Sequence, residues 1–265
     1  MNKIYKGAVF FDIDGTLLDE KCQIYTPTDK TKEAIKILKS RGFLTGVATG
    51  RAKCYMADVD IDFDCYLTCN GAVAEVGGEV VNNIYFPEAD QIELISYLEK
   101  NDFGYNLETR DVCYYGNSRL ELMKSFLEVF SINQSCFAPI SDPKKIKANK
   151  SMVMFETNEQ FNALVKKFGE KFSILKHRGY MSADIGLIGT SKASGVKAVV
   201  EKLNISQENI YAFGDAANDF EMLKFAKTGI AMTPHIPKLD LVADYVTGTV
   251  AEEGIYTALK HFNLI

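Results

Sequence analysis

Hydrophobic and polar positions near the N-terminus follow the pattern of an α/β domain. The apolar run from Ala8 to Phe11 predicts a buried strand of a parallel sheet, because such strands face apolar layers on both sides. Apolar residues then recur on one face of a helix predicted over 28–41, which ends at Gly42. Further strands are predicted over 43–48 and 65–69. This order of strand, helix, strand and strand indicates an α/β fold.

The pattern changes after residue 82, where helices alternate with short strands. The clearest element is a helix over 158–168, whose apolar residues recur at i, i+3, i+4 and i+7. Another helix is predicted from the residue after Pro87 to Lys100, and one over 118–130. Strands are predicted over 105–108, 112–115, 152–156, 172–176 and 180–185. We therefore predict a second, α+β domain, formed by residues 83–188 and inserted into the first.

The first domain resumes at residue 189 in this interpretation. A helix begins near Lys192, and a short apolar strand covers 210–213. The remaining predicted elements are a helix starting at Phe220, strands over 230–232 and 243–246, and a helix over 254–262. Residues 1–82 and 189–265 are thus predicted to form a Rossmann-like, doubly wound parallel-sheet core.

Composition and charge narrow the classes of function. The chain has 265 residues and a formal net charge of −5, which argues against a broad nucleic-acid-binding surface. No apolar stretch approaches the roughly 18 residues that span a bilayer, and no signal peptide is evident. The six cysteines form neither a C-x-x-C pair nor a zinc spacing, so reduced and mostly buried thiols are expected. We expect a cytoplasmic protein, a monomer or weak homodimer, that binds neither nucleic acid nor membranes.

Two carboxylates, Asp12 and Asp14, follow the first predicted strand. Open α/β sheets place their functional sites just beyond the carboxyl ends of strands. Two like charges this close repel each other unless a cation lies between them, and Mg²⁺ prefers oxygen ligands. The pair therefore favours a metal site, although a strand followed by an acidic turn has the same pattern.

Further polar residues lie at predicted strand ends or helix starts. Thr49, Gly50 and Arg51 follow the second strand, where a hydroxyl and exposed backbone amides suit a phosphate oxygen. The other candidates are Asn70, Lys192, Asp215, Asn218 and Asp219. Four positions have a stated structural alternative: a turn contact at 70, a surface lysine at 192, a helix cap at 219 and an ion pair at 51.

Taken together, these motifs resemble those of the haloacid dehalogenase-like phosphatases. The resemblance is carried by residues 12–18 (DIDGTLL), 48–51 (ATGR), 70–72 (NGA), Lys192, 214–219 (GDAAND), 243–247 (ADYVT) and 253–254 (EG). It is strongest to the Cof-type branch, in which a large α/β cap (type C2B) is inserted between the second and third motifs. The motifs cover both ends of the predicted core, and their order and the position of the insertion make the match specific.

The resemblance implies a two-step phosphoryl transfer. Asp12 is expected to attack phosphorus and form an aspartyl-phosphate, and Asp14 to act as acid and then as base. It further implies that Mg²⁺ is bound by Asp12, the backbone carbonyl of Asp14 and Asp215, with Asn218 and Asp219 as ligands or supporting residues. Substrate binding is expected from Thr49, Gly50, Arg51, Asn70 and Lys192.

Two departures from the family pattern occur. Met232 is followed by Thr233, Pro234 and His235 where the family often has Gly-Asn-Ala, which puts in doubt any site role of that loop. Two residues also separate Lys192 from Gly195, where the family often has glycine directly after the lysine. We expect Lys192 to keep the role of the family's lysine, because that role depends on the amine.

The inserted domain is expected to set substrate specificity, since the core motifs contact only the phosphate. Arg110, His177 and Arg178 are candidates, with surface or ion-pair roles as the alternative. The lysines at 144, 145, 147 and 150 form either a solvated face or a patch that attracts an anionic substrate. The prediction is a Mg²⁺-dependent phosphatase for small phosphorylated metabolites: sugar phosphates, nucleotides or phosphorylated cofactors. A phosphomutase on the same scaffold and a non-catalytic metabolite-binding protein are the alternatives.

Overall fold

The chain forms two compact units, each with its own sheet. The computed structural model describes residues 4–56, 59–116, 119–129, 134–177 and 179–265. The first unit comprises Met1–Thr49, Asp58–Asn82 and Ser191–Ile265, and the second comprises Gly50–Ala57 and Asn83–Thr190. The segment 50–57, which the sequence pattern places in the core, therefore lies with the second unit. The role of residues 83–188 as a specificity cap stays a prediction.

The chain contains fourteen strands and seven α-helices in its described residues. The strands are β1 (Gly7–Phe11), β2 (Phe43–Ala48), β3 (Cys65–Thr68), β4 (Val73–Val76), β5 (Glu79–Asn83), β6 (Gly104–Glu108), β7 (Cys113–Tyr115), β8 (Phe137–Pro139), β9 (Lys150–Met154), β10 (Phe172–Lys176), β11 (Ser182–Leu187), β12 (Ile210–Gly214), β13 (Thr228–Ala231) and β14 (Tyr245–Val246). The helices are α1 (Asp29–Ser40), α2 (Glu88–Lys100), α3 (Leu120–Val129), α4 (Asn158–Phe168), α5 (Lys192–Lys202), α6 (Phe220–Phe225) and α7 (Gly254–His261).

The sheet of the first unit confirms the predicted α/β core. Its strand order is β14-β13-β12-β1-β2-β3-β4-β5. Strands β14 to β3 run parallel, and β4 is antiparallel to β3. The chain proceeds from β1 toward β2 and β3 on one side and returns through β12 and β13 on the other. The carboxyl end of β1 is therefore a topological switch point, where open α/β sheets place their sites.

The antiparallel edge formed by β4 and β5 was not predicted from the pattern. Gly77 and Gly78, which join the two strands, both have positive φ (56° and 84°). Tight hairpin turns require positive φ, and glycine adopts such a backbone conformation without strain. The Gly-Gly pair at 77–78 is therefore the feature of the sequence that indicates this hairpin.

Helices cover the sheet because their apolar faces match it. Val196 and Val199 of α5 belong to the same buried cluster as Phe10 of β1 and Leu67 of β3. Each such buried aliphatic side chain contributes about 1.5–3 kcal/mol of transfer free energy. This packing brings the first turn of α5 to the carboxyl edge of the sheet, and α1 packs against β2 and α7.

The second unit is built on a six-stranded sheet of order β10-β11-β9-β6-β7-β8. Its pairings are antiparallel, apart from the parallel pair of β7 and β8. Helices α2 and α4 place Leu98 and Phe168 in one apolar cluster with Tyr105 and Val153 of the sheet. The unit is thus an α+β layer structure, as the sequence predicted for this region.

Lys150 is buried, unlike the exposed position predicted for it in the group of lysines at 144–150. It is only 3% exposed, and its Nζ lies 2.6 Å from Asp184 Oδ1 and 3.2 Å from Glu108 Oε2. A buried lysine with two carboxylate partners is part of the interior of the sheet. Lys150 therefore belongs to neither a solvated face nor an exposed patch.

Several boundaries differ from the prediction. Strand β9 starts at Lys150, two residues before the predicted strand, and β11 extends to Leu187. Helix α3 covers Leu120–Val129, and residues 118 and 130 of the predicted helix lie outside the described ranges. Among the described residues, no helix combines the length and apolar composition needed to cross a bilayer.

Candidate active site

The first feature of the site is a buried lysine between two carboxylates. Lys192, the first residue of α5, is fully buried, and its Nζ lies 2.6 Å from both Asp12 Oδ1 and Asp219 Oδ1. Burial opposes the charged form of Lys192, but the carboxylates of Asp12 and Asp219 outweigh it and raise the pKa of the lysine. The amine is therefore held as an ammonium ion at the carboxyl end of β1.

Asp219 also organises the loop that follows β12. Its Oδ2 accepts hydrogen bonds from the backbone N–H groups of Asp215 (3.0 Å) and Ala216 (2.9 Å). A Cβ on Gly214 would lie 2.4 Å from the carboxyl carbon of Asp219, so the close approach requires glycine there. Asp219 thus ties Lys192 to the backbone that presents Asp215.

Asp215 lies against the turn that follows β1. Thr16 Oγ1 donates to Asp215 Oδ1 at 3.4 Å. Gly15 has a φ of +88°, and a Cβ there would lie 2.4 Å from the Asp215 carboxyl carbon. Thr16 and Gly15 are part of the DIDGT motif but were not among the predicted site residues; their positions within that motif were the available indication.

Three carboxylates of this site could hold one cation. Ligand oxygens of Asp12, Asp215 and Asp219 all lie within 4.8 Å of one another. The pKa of Asp12 is raised to about 7, mainly by burial and then by the charge of Asp219. The pKa of Asp215 is raised to about 9 by burial and by the charges of Asp219 and Asp12. One ammonium ion does not compensate three carboxylates, of which Asp12 and Asp219 are buried and Asp215 is partly buried. An all-oxygen set with uncompensated negative charge fits Mg²⁺.

The hydrogen bonds divide the three carboxylates into two kinds. Both oxygens of Asp219 are already engaged, one by Lys192 and the other by backbone N–H groups. Asp12 and Asp215 are therefore the better placed ligands, and Asp219 is better placed to support them. The ligand and supporting roles of Asp219 both stay predictions.

Asp14 lies apart from the three-carboxylate group. It is exposed, in a turn where the backbone N–H groups of Leu17 and Leu18 donate to Ile13 O at 2.8 and 2.9 Å. Its side chain is not a member of the cluster formed by Asp12, Asp215 and Asp219. An accessible carboxylate two residues from Asp12 is suited to proton exchange with solvent or substrate.

Thr49, Asn70 and Asn218 meet at the ends of β2 and β3. The Thr49 N–H donates to Leu67 O and the Asn70 N–H donates to Thr49 O, each at 2.9 Å. Asn70 has a φ of 55°, and its Oδ1 accepts from Asn218 Nδ2 at 2.9 Å. The side chain of Asn218 thus orients that of Asn70.

Gly50 and Arg51 belong to the segment that lies with the second unit. Arg51 is 7% exposed, so its guanidinium is buried there. The ion-pair and substrate-contact hypotheses for Arg51 both stay predictions.

The loop after β13 supports the site through its backbone. The Met232 N–H donates to Gly214 O and the Ile236 N–H to Asp215 O, each at 3.0 Å. The Thr233 side chain also fixes the loop to the segment after β14, because its Oγ1 donates to Thr247 O at 2.7 Å. The unusual sequence after Met232 therefore keeps the loop in place behind Asp215.

The two residues inserted after Lys192 have a structural explanation. Ser194 forms a capping box with Ser191, whose N–H donates to Ser194 Oγ at 2.9 Å. Gly195 then faces Gly71, and a Cβ on Gly195 would lie 2.9 Å from the Gly71 Cα. The close contact of α5 with the turn after β3 thus requires glycine at 195.

The three candidates in the inserted domain have different surroundings. His177 Nδ1 lies 2.8 Å from Ser182 Oγ, and its Nε2 lies 3.4 Å from Asp184 Oδ1. Arg110 Nε lies 3.8 Å from Asp111 Oδ1. Arg178 lies outside the described residues. His177 directly follows β10 and Asp184 lies in β11, so the contact is made within this pair of neighbouring strands, and the sequence pattern did not indicate it.

Known proteins share this chain's sequence pattern over most of its length. The sequence profile of the haloacid dehalogenase-like hydrolases matches residues 9–259. A Streptococcus pyogenes protein named as a bifunctional phosphatase/peptidyl-prolyl cis-trans isomerase is 30% identical over 263 residues, which are 97% of this chain and 54% of that relative. The chain thus spans about half the length of that relative. Phosphatase YwpJ of Bacillus subtilis is 26% identical, covering 96% of this chain and 98% of its own length.

A solved structure shares the fold along its whole length. The sugar phosphatase BT4131, of haloacid dehalogenase subclass IIB, superimposes with a TM-score of 0.84 at 26% identity. The alignment covers 98% of this chain and 100% of that structure.

Proposed function

Since the chain belongs to the haloacid dehalogenase-like hydrolase family, as a phosphatase of its Cof-type branch, we propose that it hydrolyses small phosphorylated metabolites with Asp12 as the nucleophile. The observation that carries this proposal is the contact of Asp12 with a fully buried ammonium group at the switch point of the sheet. This contact fixes the carboxylate, and the ammonium charge opposes the rise in the pKa of Asp12 that burial and Asp219 cause, which favours the ionised, attacking form.

The proposed reaction has two displacements at phosphorus. An oxygen of Asp12 attacks the phosphoryl group, the ester bond breaks, and Asp14 gives its proton to the leaving oxygen. Asp14 then takes a proton from water, which attacks the phosphorus of the aspartyl-phosphate and releases phosphate and Asp12. The exposure of Asp14 supports this role, because its proton must be exchanged in every cycle.

Lys192 is proposed to have two roles in this cycle. Its ammonium orients Asp12, and it offsets negative charge where phosphoryl oxygens accumulate. Asp219 keeps that ammonium in place through a second contact at 2.6 Å. The Thr49 hydroxyl and the side chain of Asn70, with Gly50 and Arg51, complete the proposed substrate-binding set.

The residues present fit a Mg²⁺ ion. Asp12, Asp215 and the backbone carbonyl of Asp14 are the proposed ligands, and Asn218 and Asp219 are proposed to support them. When bound, the ion would supply positive charge that neutralises the phosphoryl oxygens.

We propose sugar phosphates as the first choice of substrate, followed by nucleotides and phosphorylated cofactors. The likeness to a subclass IIB sugar phosphatase over 98% of the chain supports this order. A cytoplasmic protein that is a monomer or weak homodimer stays our expectation.

The test is phosphate release from a panel of phosphorylated metabolites, with and without Mg²⁺. We expect Asp12→Asn to lower the rate at least about a thousandfold, because the amide is a poor nucleophile. The matched control is Asp62→Asn, which changes an exposed aspartate of the same unit. Full activity of Asp12→Asn would exclude the proposed nucleophile. An isomerised hexose phosphate in place of free phosphate would instead indicate a phosphomutase.

A further inference from the structure

Three thiols of the second unit lie together although they are far apart in the sequence. Cys54 Sγ lies 3.6 Å from Cys113 Sγ, and these residues are 59 positions apart. The thiol of Cys136 is a neighbour of both. Cys113 is buried, while Cys54 and Cys136 are partly exposed.

The local structure holds this pair in position. Cys54 is the middle residue of the 3-10 turn Lys53–Tyr55, and Cys113 is the first residue of β7. The ring of Tyr55, next to Cys54, lies 6.0 Å from the ring of Phe137 in β8, the strand paired with β7. The Tyr55 hydroxyl also hydrogen-bonds Glu108, whose strand pairs with β7 on its other side. The turn is thus attached to the sheet at the residue beside the thiol.

We propose that Cys54 and Cys113 are a reversible oxidation site, which forms an intramolecular disulfide when a low-molecular-weight disulfide acts as oxidant. The sulfur atoms are already in van der Waals contact, and a bond of about 2.05 Å requires a further approach of the 3-10 turn toward β7. Cys54 is the entry point, because it is partly exposed whereas Cys113 is buried.

The reaction is two successive thiol–disulfide exchanges. The Cys54 thiolate attacks one sulfur of the oxidant, the S–S bond of the oxidant breaks, and the departing thiolate takes up the proton that Cys54 lost. The Cys113 thiolate then attacks Cys54 Sγ, and the second small thiolate leaves with the proton of Cys113. The protein loses two electrons, and the small disulfide is reduced to two thiols.

A metal site is the less suitable interpretation of the three thiols. Among the described residues, the group of three or more potential ligands that lie within 4.8 Å of one another is the acidic cluster of the first unit. The three sulfur atoms do not form such a group. Two of them, at 3.6 Å, are instead close enough for a disulfide.

The experiment is to incubate the folded, full-length protein with oxidised glutathione and to count free thiols. We expect two of the six thiols to be lost without stable glutathione adducts on them, and dithiothreitol to restore both. Peptide mapping without reductant should show one linked pair, Cys54 with Cys113. Far-UV circular dichroism checks that the protein stays folded.

Three variants separate the proposed pair from the other thiols. Cys22→Ser removes an exposed thiol elsewhere, and Cys136→Ser removes the neighbouring one; both should keep the link. Cys54→Ser should lose it. A link of Cys113 to Cys136, stable glutathione adducts on Cys54, or loss of thiols only in denaturant would each overturn the proposal. Because the readout is thiol chemistry, the result does not depend on phosphatase activity.

Discussion

At the scale of single residues, Lys192 is the position on which the site depends most. The cost of burying an ammonium ion is offset only because Asp12 and Asp219 both contact it at 2.6 Å. The same contacts connect the end of β1 with the loop after β12. Both the stability of the fold and the proposed chemistry therefore depend on the side chain of Lys192.

We predict that Lys192→Met destabilises the protein by about 3–5 kcal/mol and abolishes phosphate release, because two buried carboxylates lose their cation. Urea unfolding measures the first effect and phosphate release the second. The matched control is Lys197→Met, which removes an exposed lysine from the same helix and should change both by little. A Lys192→Met protein with unchanged stability would contradict the assigned ion pairs.

At the scale of elements, the site is formed where the first turn of α5 approaches the turn after β3. Gly71 has a φ of +85°, and a Cβ on it would lie 2.3 Å from Ser191 O. With Gly195 facing Gly71, two glycines allow the helix to begin close to the sheet. The position of Lys192, three residues before Gly195, depends on this contact.

We predict that Gly195→Ala destabilises the protein by about 1–3 kcal/mol, because the added methyl group would lie 2.9 Å from the Gly71 Cα and displace α5. Phosphate release should fall with it, since Lys192 moves with the helix. Gly186→Ala is the control, because a Cβ there meets no atom within 4 Å. Equal thermal stabilities of the two variants would show that the helix does not require the close contact.

At the scale of the whole molecule, the buried acidic cluster links stability to pH and to cation binding. The folded-state pKa values of Asp12 (about 7) and Asp215 (about 9) are above their ordinary value of 3.8. The folded protein therefore binds protons that the unfolded chain releases. Stability of the metal-free protein should fall as pH rises from about 4 through these folded-state values.

We predict that Mg²⁺ raises the melting temperature more at about pH 9 than at about pH 6, because at the lower pH protons compete for the same carboxylates. Differential scanning calorimetry at both pH values, with Mg²⁺ or with a chelator, measures this difference. Asp215→Asn should reduce the Mg²⁺-dependent shift. A larger shift at the lower pH would be inconsistent with the raised pKa values.

The sequence by itself determined the features that rest on local patterns. The prediction of α4 over 158–168 and of β2 over 43–48 matches the structure residue for residue, because periodicity and end residues are local. The parallel core and the family also followed from short motifs in a fixed order.

Only the tertiary structure decided the features that rest on contacts between distant segments. It places Lys192 against Asp12, groups residues 50–57 with the second unit, buries Lys150 and brings Cys54 to Cys113. The periodicity of a segment carries no information about which distant residue a side chain contacts. A lysine is predicted to be exposed unless its partners are known. The chemistry at each of these positions depends on such partners, which only the folded chain supplies.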